Sequence, residues 1–221
     1  MSSHLDLEEQ EQLDEIKHFW KQYGNAITWV LILVMGAYAS WNAYQYWERQ
    51  QSAKASALFD EVERTAAAGD AAKVERSWND MKERFPRTTF ASQSALLAAK
   101  VFQQTDRNDA AQSALKWASE NASDEASAQL ARLRLANLQV QLKSYDEALK
   151  TLSHAFQPSF AGLAADVKGD IGVLQNKPSE AIKAYKDAWQ QLSDNAEYRR
   201  LVAAKLNVLG VDPTQDKGST K

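Results

Sequence analysis

The chain has 221 residues and a formal net charge of −3, so it lacks the basic excess that counterion release requires and is not expected to bind nucleic acid. It contains no cysteine, which excludes thiolate nucleophiles, cysteine-based zinc sites, disulfides and an acylated lipoprotein cysteine. Gly and Pro are sparse, at 8 and 4, while helix-forming residues dominate, so most of the chain is expected to be helical.

Residues 1–22 are predicted to form a short cytoplasmic segment in which six carboxylates outnumber two lysines. Leu5, Leu13, Ile16 and Trp20 fall near one face of a helix drawn through this segment. Two interpretations stay open: an interfacial or partner-binding helix, and a flank that is simply solvated.

Residues 23–47 are predicted to form a transmembrane helix. No charged residue lies between Lys21 and Glu48, a run of 26 positions, whereas a helix needs roughly 20 to cross the hydrocarbon core. Aromatic side chains gather at both edges of this run, which is typical of the headgroup level of a membrane. They are Phe19, Trp20, Tyr23, Trp41, Tyr44, Tyr46 and Trp47.

A cleaved signal peptide is the main alternative to a membrane anchor. The stretch from Ile27 to Met35 has the length of a signal-peptide hydrophobic region, and Ala37 and Ala39 satisfy the small-x-small cleavage pattern. A secretory leader is short and positively charged, however, whereas this one is acidic, and uncharged aromatic sequence continues beyond the cleavage point. A helix buried in a soluble core would rarely carry aromatics at both ends. We therefore expect an uncleaved anchor.

Charge alone leaves the orientation of this anchor open. Lys17 and Lys21 on one side are matched by Arg49 and Lys54 on the other. The apolar segment lies near the N-terminus, as in a signal anchor, and a long C-terminal domain can cross a membrane whatever its charge. These two points favour a cytoplasmic N-terminus.

Residues 48–210 are predicted to form an array of helical hairpins, followed by a flexible tail at 211–221. Helix-breaking residues recur at short intervals and cut residues 42–209 into about nine segments of helical length. The connections are too short for anything except antiparallel neighbours. The expected fold class is therefore all-α, with a single N-terminal transmembrane helix followed by a tetratricopeptide-like array of helical hairpins.

Two internal repeats support this array. Ala136 and Gly169 are 33 residues apart, as are Ala148 and Ala181. In both units a large apolar residue follows four positions after the second small residue, which is the tetratricopeptide spacing. Those large residues are Leu152 and Tyr185. A weaker copy with a longer period precedes them, and an irregular helical bundle is the alternative.

The repeat register also predicts a surface for binding partners. In a tetratricopeptide array the first helix of each hairpin lines a concave surface. The candidate groove consists of Leu133, Asn137, Val140, Gln141, Asp166, Asp170 and Val173. This mixture of apolar and polar groups suits an extended or helical peptide better than a small molecule.

No motif in the sequence predicts catalysis. The three histidines His4, His18 and His154 are isolated, and there is no Gly-rich phosphate loop, His-Glu-x-x-His or Gly-x-Ser-x-Gly. We therefore expect a non-enzymatic protein that needs no cofactor or metal and acts through protein–protein interactions.

Four stretches of the sequence carry a resemblance to a known family. They are residues 15–24 (EIKHFWKQYG), 131–142 (ARLRLANLQVQL), 146–152 (DEALKTL) and 164–170 (AADVKGD). In this order the chain resembles the YfgM-type ancillary subunits of the bacterial SecYEG translocon. The resemblance is weakest over residues 70–125 and after Gly210.

The resemblance implies a bitopic inner-membrane protein with a cytoplasmic N-terminus and a tetratricopeptide-like domain in the periplasm. The implied partners are the SecYEG translocon, a periplasmic membrane-anchored chaperone of the PpiD type, and translocating polypeptides. The expected role is that of a chaperone or adaptor. A generic envelope scaffold for another membrane complex and a cleaved soluble periplasmic binding protein are the alternatives.

Overall fold

The computed structural model describes residues 7–193 and 197–214, with side chains described from Leu13 onward. Within these residues the chain forms helices and no strand, which confirms the predicted all-α class. The helices are α1 Leu7–Ala67, α2 Ala71–Arg84, α3 Thr89–Gln104, α4 Asn108–Asn121, α5 Glu125–Gln141, α6 Tyr145–Thr151, α7 Pro158–Leu174, α8 Pro178–Gln191 and α9 Glu197–Val208. The chain divides after Gln51 into two compact units.

The first unit contains the part of α1 that was predicted to span a membrane. Among the described residues, α1 is the one helix long and apolar enough to do so, and its most apolar stretch is wholly unburied. The aromatic rings at both edges are exposed, as Trp20 and Trp41 illustrate. A soluble core helix would be covered, so these observations agree with the predicted transmembrane helix.

The second unit is built of hairpins that share one type of turn. Two residues after α1, α3, α5 and α7 the backbone adopts a left-handed conformation, at Gly69, Asp106, Lys143 and Asn176. In each turn the following amide donates to the carbonyl five residues earlier, as Lys177 does at 2.8 Å. This Schellman-type hydrogen bond ends one helix and directs the next one back along it.

The last helix ends in the same way. Gly210 has a φ of +79°, and the Val211 amide donates to the Leu206 carbonyl at 3.0 Å. Val211 then packs against the core and Pro213 is buried. The remainder of the predicted tail, residues 215–221, lies outside the described residues.

Side-chain oxygens fix several helix starts. Asp70 accepts a hydrogen bond from the Lys73 amide, Thr88 from Ala91, and Asp124 from Ser127. Each bond satisfies an amide that has no partner within its own helix. Pro158 and Pro178 are the first residues of α7 and α8, where a missing N–H costs nothing because it would have no partner within the helix.

The hydrophobic core of the second unit is divided into three clusters along the chain. The first joins the end of α1 to α2, α3, α4 and one face of α5. The second joins the other face of α5 to α6 and α7, and the third joins α7, α8 and α9. Each hairpin therefore packs mainly on its neighbours, as a repeat array requires.

Candidate partner-binding surfaces

A close contact between α7 and α8 fixes which side chains of α7 reach the surface. A Cβ added to Gly169 would overlap the ring of Tyr185, and one added to Gly172 would lie 2.9 Å from the backbone nitrogen of Ala181. Ala181 is fully buried, as is Ala148 in the preceding hairpin. The small residues of the repeat thus admit the second helix, as the spacing predicts.

Three of the four predicted groove residues on α5 are at least partly accessible. Asn137 and Gln141 are exposed, and the Asn137 amide donates to the Leu133 carbonyl at 3.1 Å. Val140 is partly buried against the second core cluster. Leu133 is only 8% exposed and belongs to that cluster, because α7 packs over it.

The three predicted groove residues on α7 differ in the same way. Val173 is 46% exposed, and the Asp170 side chain is partly exposed. Asp166 is fully buried, because residues of α9 cover it. Leu133 and Asp166 therefore offer no free surface to a partner. The accessible residues of the predicted groove are Asn137, Val140, Gln141, Asp170 and Val173.

A network of charged and polar groups joins α7 to α8 and α9. The Lys205 ammonium donates to both oxygens of Asp166 at 2.9 Å and to Asp170 at 2.6 Å. The Tyr198 hydroxyl donates to Asp166, and the Tyr185 hydroxyl donates to Asp170, each at 2.6 Å. A buried carboxylate is stable only when paired and hydrogen-bonded in this way. The network therefore holds α9 against α7.

Both tyrosines keep their protons in this network. Burial, reinforced by the hydrogen bond to Asp170, raises the pKa of Tyr185 far above its usual value. Burial and the hydrogen bond to Asp166 raise the pKa of Tyr198 in the same direction. A phenolate beside a carboxylate would be doubly penalised, by desolvation and by like charge. The two hydroxyls are therefore permanent donors at physiological pH.

An open cleft of about 480 Å³ lies between α4, α5 and α6 and was not predicted. The helix α6, which forms one wall, has 7 residues, whereas α4 and α8 each have 14. The walls of the cleft carry charged groups of both signs, such as Lys116, Glu120, Glu147 and Lys150. Leu135 is the apolar residue in its lining. Such an open cleft lacks the closure of a small-molecule site.

The described residues contain no group of three His, Asp or Glu side chains that could hold a metal ion. His154 is exposed, with its Nδ1 3.2 Å from the Thr151 carbonyl of its own turn, and His18 is exposed on α1. His4 lies outside the described residues.

Comparison with known proteins assigns this array to a family. The sequence matches the model described as a tetratricopeptide repeat-like domain over residues 17–211. An "Ancillary SecYEG translocon subunit" from Neisseria gonorrhoeae is 32% identical over 210 residues, covering 95% of this chain and 100% of that relative. The chain belongs to the family of ancillary SecYEG translocon subunits.

Two more members of the ancillary SecYEG translocon subunit family show how far the similarity extends. The relative from Haemophilus influenzae is 29% identical, covering 92% of this chain and 98% of its own length. The relative from Escherichia coli K12 is 26% identical, covering 92% of this chain and 97% of its own length. The similarity therefore includes both the apolar part of α1 and the helical array, which fits a single-pass protein of the inner membrane.

Proposed function

We propose that this protein is an ancillary subunit of the SecYEG translocon, anchored in the inner membrane by residues 23–47. Residues 1–22 face the cytoplasm and residues 48–210 form a periplasmic domain. The observation that carries the proposal is the similarity to translocon subunits along nearly the whole chain, which covers the anchor and the array together. A generic repeat protein would match over the array alone.

The proposed mode of action is binding without catalysis. The predicted groove positions leave apolar and polar side chains accessible, and such a surface fits a peptide or a helix of another protein. We assign to it two classes of partner: a membrane-anchored periplasmic chaperone of the PpiD type, and polypeptides emerging from the translocon. Holding such a chain near the exit limits its aggregation, which makes the protein a chaperone or an adaptor.

The first prediction concerns the anchor. The protein should remain with membranes after washing with high salt and with alkaline carbonate, and its N-terminus should precede residue 39. Salt and alkali release peripheral proteins but do not extract an apolar helix from the hydrocarbon core. Fractionation followed by N-terminal sequencing measures both points. Recovery of a soluble protein that begins at Ser40 would replace the anchor with a cleaved signal peptide.

The absence of cysteine allows a clean test of orientation in the same preparation. Single cysteines introduced at Ser3 and at Ser113 should react differently with a membrane-impermeant maleimide added to cells whose outer membrane has been opened. Labelling at Ser113 and protection at Ser3 are expected. The reverse pattern would place the array in the cytoplasm.

One side of the membrane helix offers a second surface for the translocon. At 100° per residue, Gly24, Thr28, Ala39, Asn42 and Ala43 fall within about a third of the helix circumference. The same third also holds Ile32, Met35 and Tyr46. The opposite side carries Tyr23, Val30, Val34 and Trp41, together with the small residues Ala26 and Ala37. Small residues let membrane helices approach closely, and polar ones hydrogen-bond between them.

The second prediction separates the groove from this helix face. The double variant Asn137→Arg, Gln141→Arg adds charge where both side chains are exposed, and it should weaken capture of the PpiD-type chaperone in pull-downs from solubilised membranes. The double variant Ala39→Leu, Ala43→Leu should instead weaken capture of SecYEG, because it enlarges two small residues on this side of the span.

Each of these double variants has a matched control. The control for the groove variant is Ser113→Arg with Gln190→Arg, which adds the same charge at exposed positions of α4 and α8. The control for the membrane-helix variant is Ala26→Leu with Ala37→Leu, which adds the same bulk to the opposite side of the span. Both controls should capture partners normally. If all four variants retained both partners, neither surface would be the contact, and recovery of a different membrane complex would favour the generic scaffold.

A further inference from the structure

The open cleft between α4, α5 and α6 is lined by a second side of α5. Arg132, Leu135 and Gln139 line it from this helix, and all three are largely buried. We call these three residues the cleft floor. At 100° per residue they lie within about 60° of one another, on the opposite side of α5 from the exposed groove residues Asn137 and Gln141. The cleft is therefore separate from the predicted groove.

Gln139 supplies a hydrogen-bond donor to the cleft floor. It is only 8% exposed, and its Oε1 accepts a hydrogen bond from the Thr151 hydroxyl at 2.8 Å. This bond fixes the orientation of the amide, whose nitrogen donates to no group among the described residues. A largely buried donor without a partner costs free energy, so the Gln139 amide favours a ligand that brings an oxygen.

Arg132 supplies a cation to the same floor. Its side chain is 17% exposed, and one guanidinium nitrogen donates to the Ser119 carbonyl at 3.0 Å. The other terminal nitrogen lies 3.6 Å from Glu125, which is beyond hydrogen-bond distance. A guanidinium has five N–H donors, so several remain for a ligand, and their planar arrangement suits a carboxylate.

The walls of the cleft carry charges that are easier to satisfy than those of the floor. Lys116 of α4 and Lys150 of α6 have no ion-pair partner among the described residues, and the same is true of Glu120 and Glu147. All four are exposed, so water solvates them at little cost. The largely buried floor therefore determines the ligand, and its available polar groups are donors.

The spacing of these donors favours a peptide over a small anion. Arg132 and Gln139 are seven residues apart, so their Cα atoms are separated by about 10 Å along α5. An extended chain advances about 3.3 Å per residue, so a segment of about three residues spans them. Leu135 lies between them and offers an apolar contact to the middle of such a segment.

We propose that the cleft binds an extended peptide segment through a carboxylate. Arg132 holds the carboxylate, and the Gln139 amide donates to a backbone carbonyl about three residues away. The carboxylate belongs either to the C-terminus of the bound chain or to an acidic side chain within it. This site does not depend on the proposed translocon contacts, because the groove and the membrane helix take no part in it.

The test uses the full-length protein in phosphatidylcholine nanodiscs and two peptides that carry the carboxylate in different places. In acetyl-Ala-Ala-Leu-Ala-Ala it is the C-terminus, and in acetyl-Ala-Glu-Ala-Leu-Ala-Ala-amide it is a side chain. Each peptide has an uncharged counterpart, with a C-terminal amide or with glutamine. Calorimetric titration should show at least one charged peptide binding about ten-fold more tightly than its counterpart, as a charge-assisted hydrogen bond would provide. The peptide that does so identifies the source of the carboxylate.

Two arginines of α5 form a matched pair for locating the site. Arg132→Gln should weaken binding of the charged peptide by about ten-fold or more, because it removes the group that holds the carboxylate. Arg134→Gln makes the same change at an exposed position on another side of α5, and it should leave binding unchanged. Equal affinities for these two variants would overturn the proposal.

Two further variants keep the test valid if Arg132→Gln disturbs the fold. Gln139→Glu retains the hydrogen bond from Thr151 but places a carboxylate on the cleft floor, and Lys150→Glu reverses an exposed charge on the wall. Both should weaken binding by about five-fold or more through repulsion of the ligand. Circular-dichroism melting should show that Lys150→Glu is folded, since Lys150 is exposed.

The groove provides the last comparison. The double variant Asn137→Arg, Gln141→Arg should bind the charged peptide at least as tightly as the unchanged protein does, because both residues lie on the opposite side of α5 from the cleft. A loss of binding in this variant alone would move the site to the groove and overturn the proposal. Equal binding of charged and uncharged peptides, or no saturable binding of either, would overturn it as well.

Discussion

Replacing Ala181 with Trp is expected to lower the free energy of unfolding of the array by about 3 kcal/mol, the upper end of the usual cost of overpacking. Ala181 is fully buried, and its backbone lies so close to Gly172 that even a Cβ there would meet it at 2.9 Å. An indole ring at this position would force α7 and α8 apart. The melting temperature of the full-length protein, followed by circular dichroism, should fall by roughly 6–12 °C.

Lys183→Trp is the appropriate comparison, because Lys183 is exposed on the same helix. It adds the same side chain without displacing a neighbour, so the melting temperature should stay within about 2 °C of the original value. Ala148→Trp should reproduce the large effect in the preceding hairpin. Unchanged melting for both buried variants would mean that the hairpins do not pack in this register.

Lys205→Met should cost about 3–5 kcal/mol, because removing one member of a buried charge network leaves its partners uncompensated. Asp166 is fully buried and would keep only the hydrogen bond from Tyr198. The methionine preserves most of the side-chain volume, so the loss would report on charge and not on packing. Chemical denaturation of the full-length protein measures it.

Two variants control for this interpretation. Lys177→Met removes an exposed lysine that lies 3.8 Å from Glu180, and it should cost less than about 1 kcal/mol. Adding Asp166→Asn to Lys205→Met should recover part of the loss, because a neutral amide is cheaper to bury than a carboxylate. A double variant no more stable than Lys205→Met alone would show that the lysine acts through packing.

The features that the sequence predicted are those that a short local pattern determines. The membrane helix follows from an uncharged run and its aromatic edges, which need no knowledge of tertiary contacts. The hairpins follow from the spacing of Ala136, Gly169, Ala148 and Ala181, because only small residues permit that approach between helices. Asn137, Gln141 and Val173 were placed on accessible positions by the same spacing.

The features that were missed depend on neighbours that the repeat does not specify. Leu133 and Asp166 occupy groove positions in the repeat, but α7 and α9 cover them. No sequence pattern indicated that Lys205 would contact Asp166. The 33-residue period is lost between α7 and α9, where Val202 replaces the small residue.

The division of the core into three clusters bears on how the molecule is made. The first cluster draws on residues up to Leu138, the second on residues up to Ile171, and neither needs α9. Because contacts are local in sequence, each cluster can form as soon as its own helices have been synthesised, without waiting for the C-terminus. Hydrogen exchange should then show that the free energy of local unfolding differs along the chain, with the amides of α9 exchanging before those of α3.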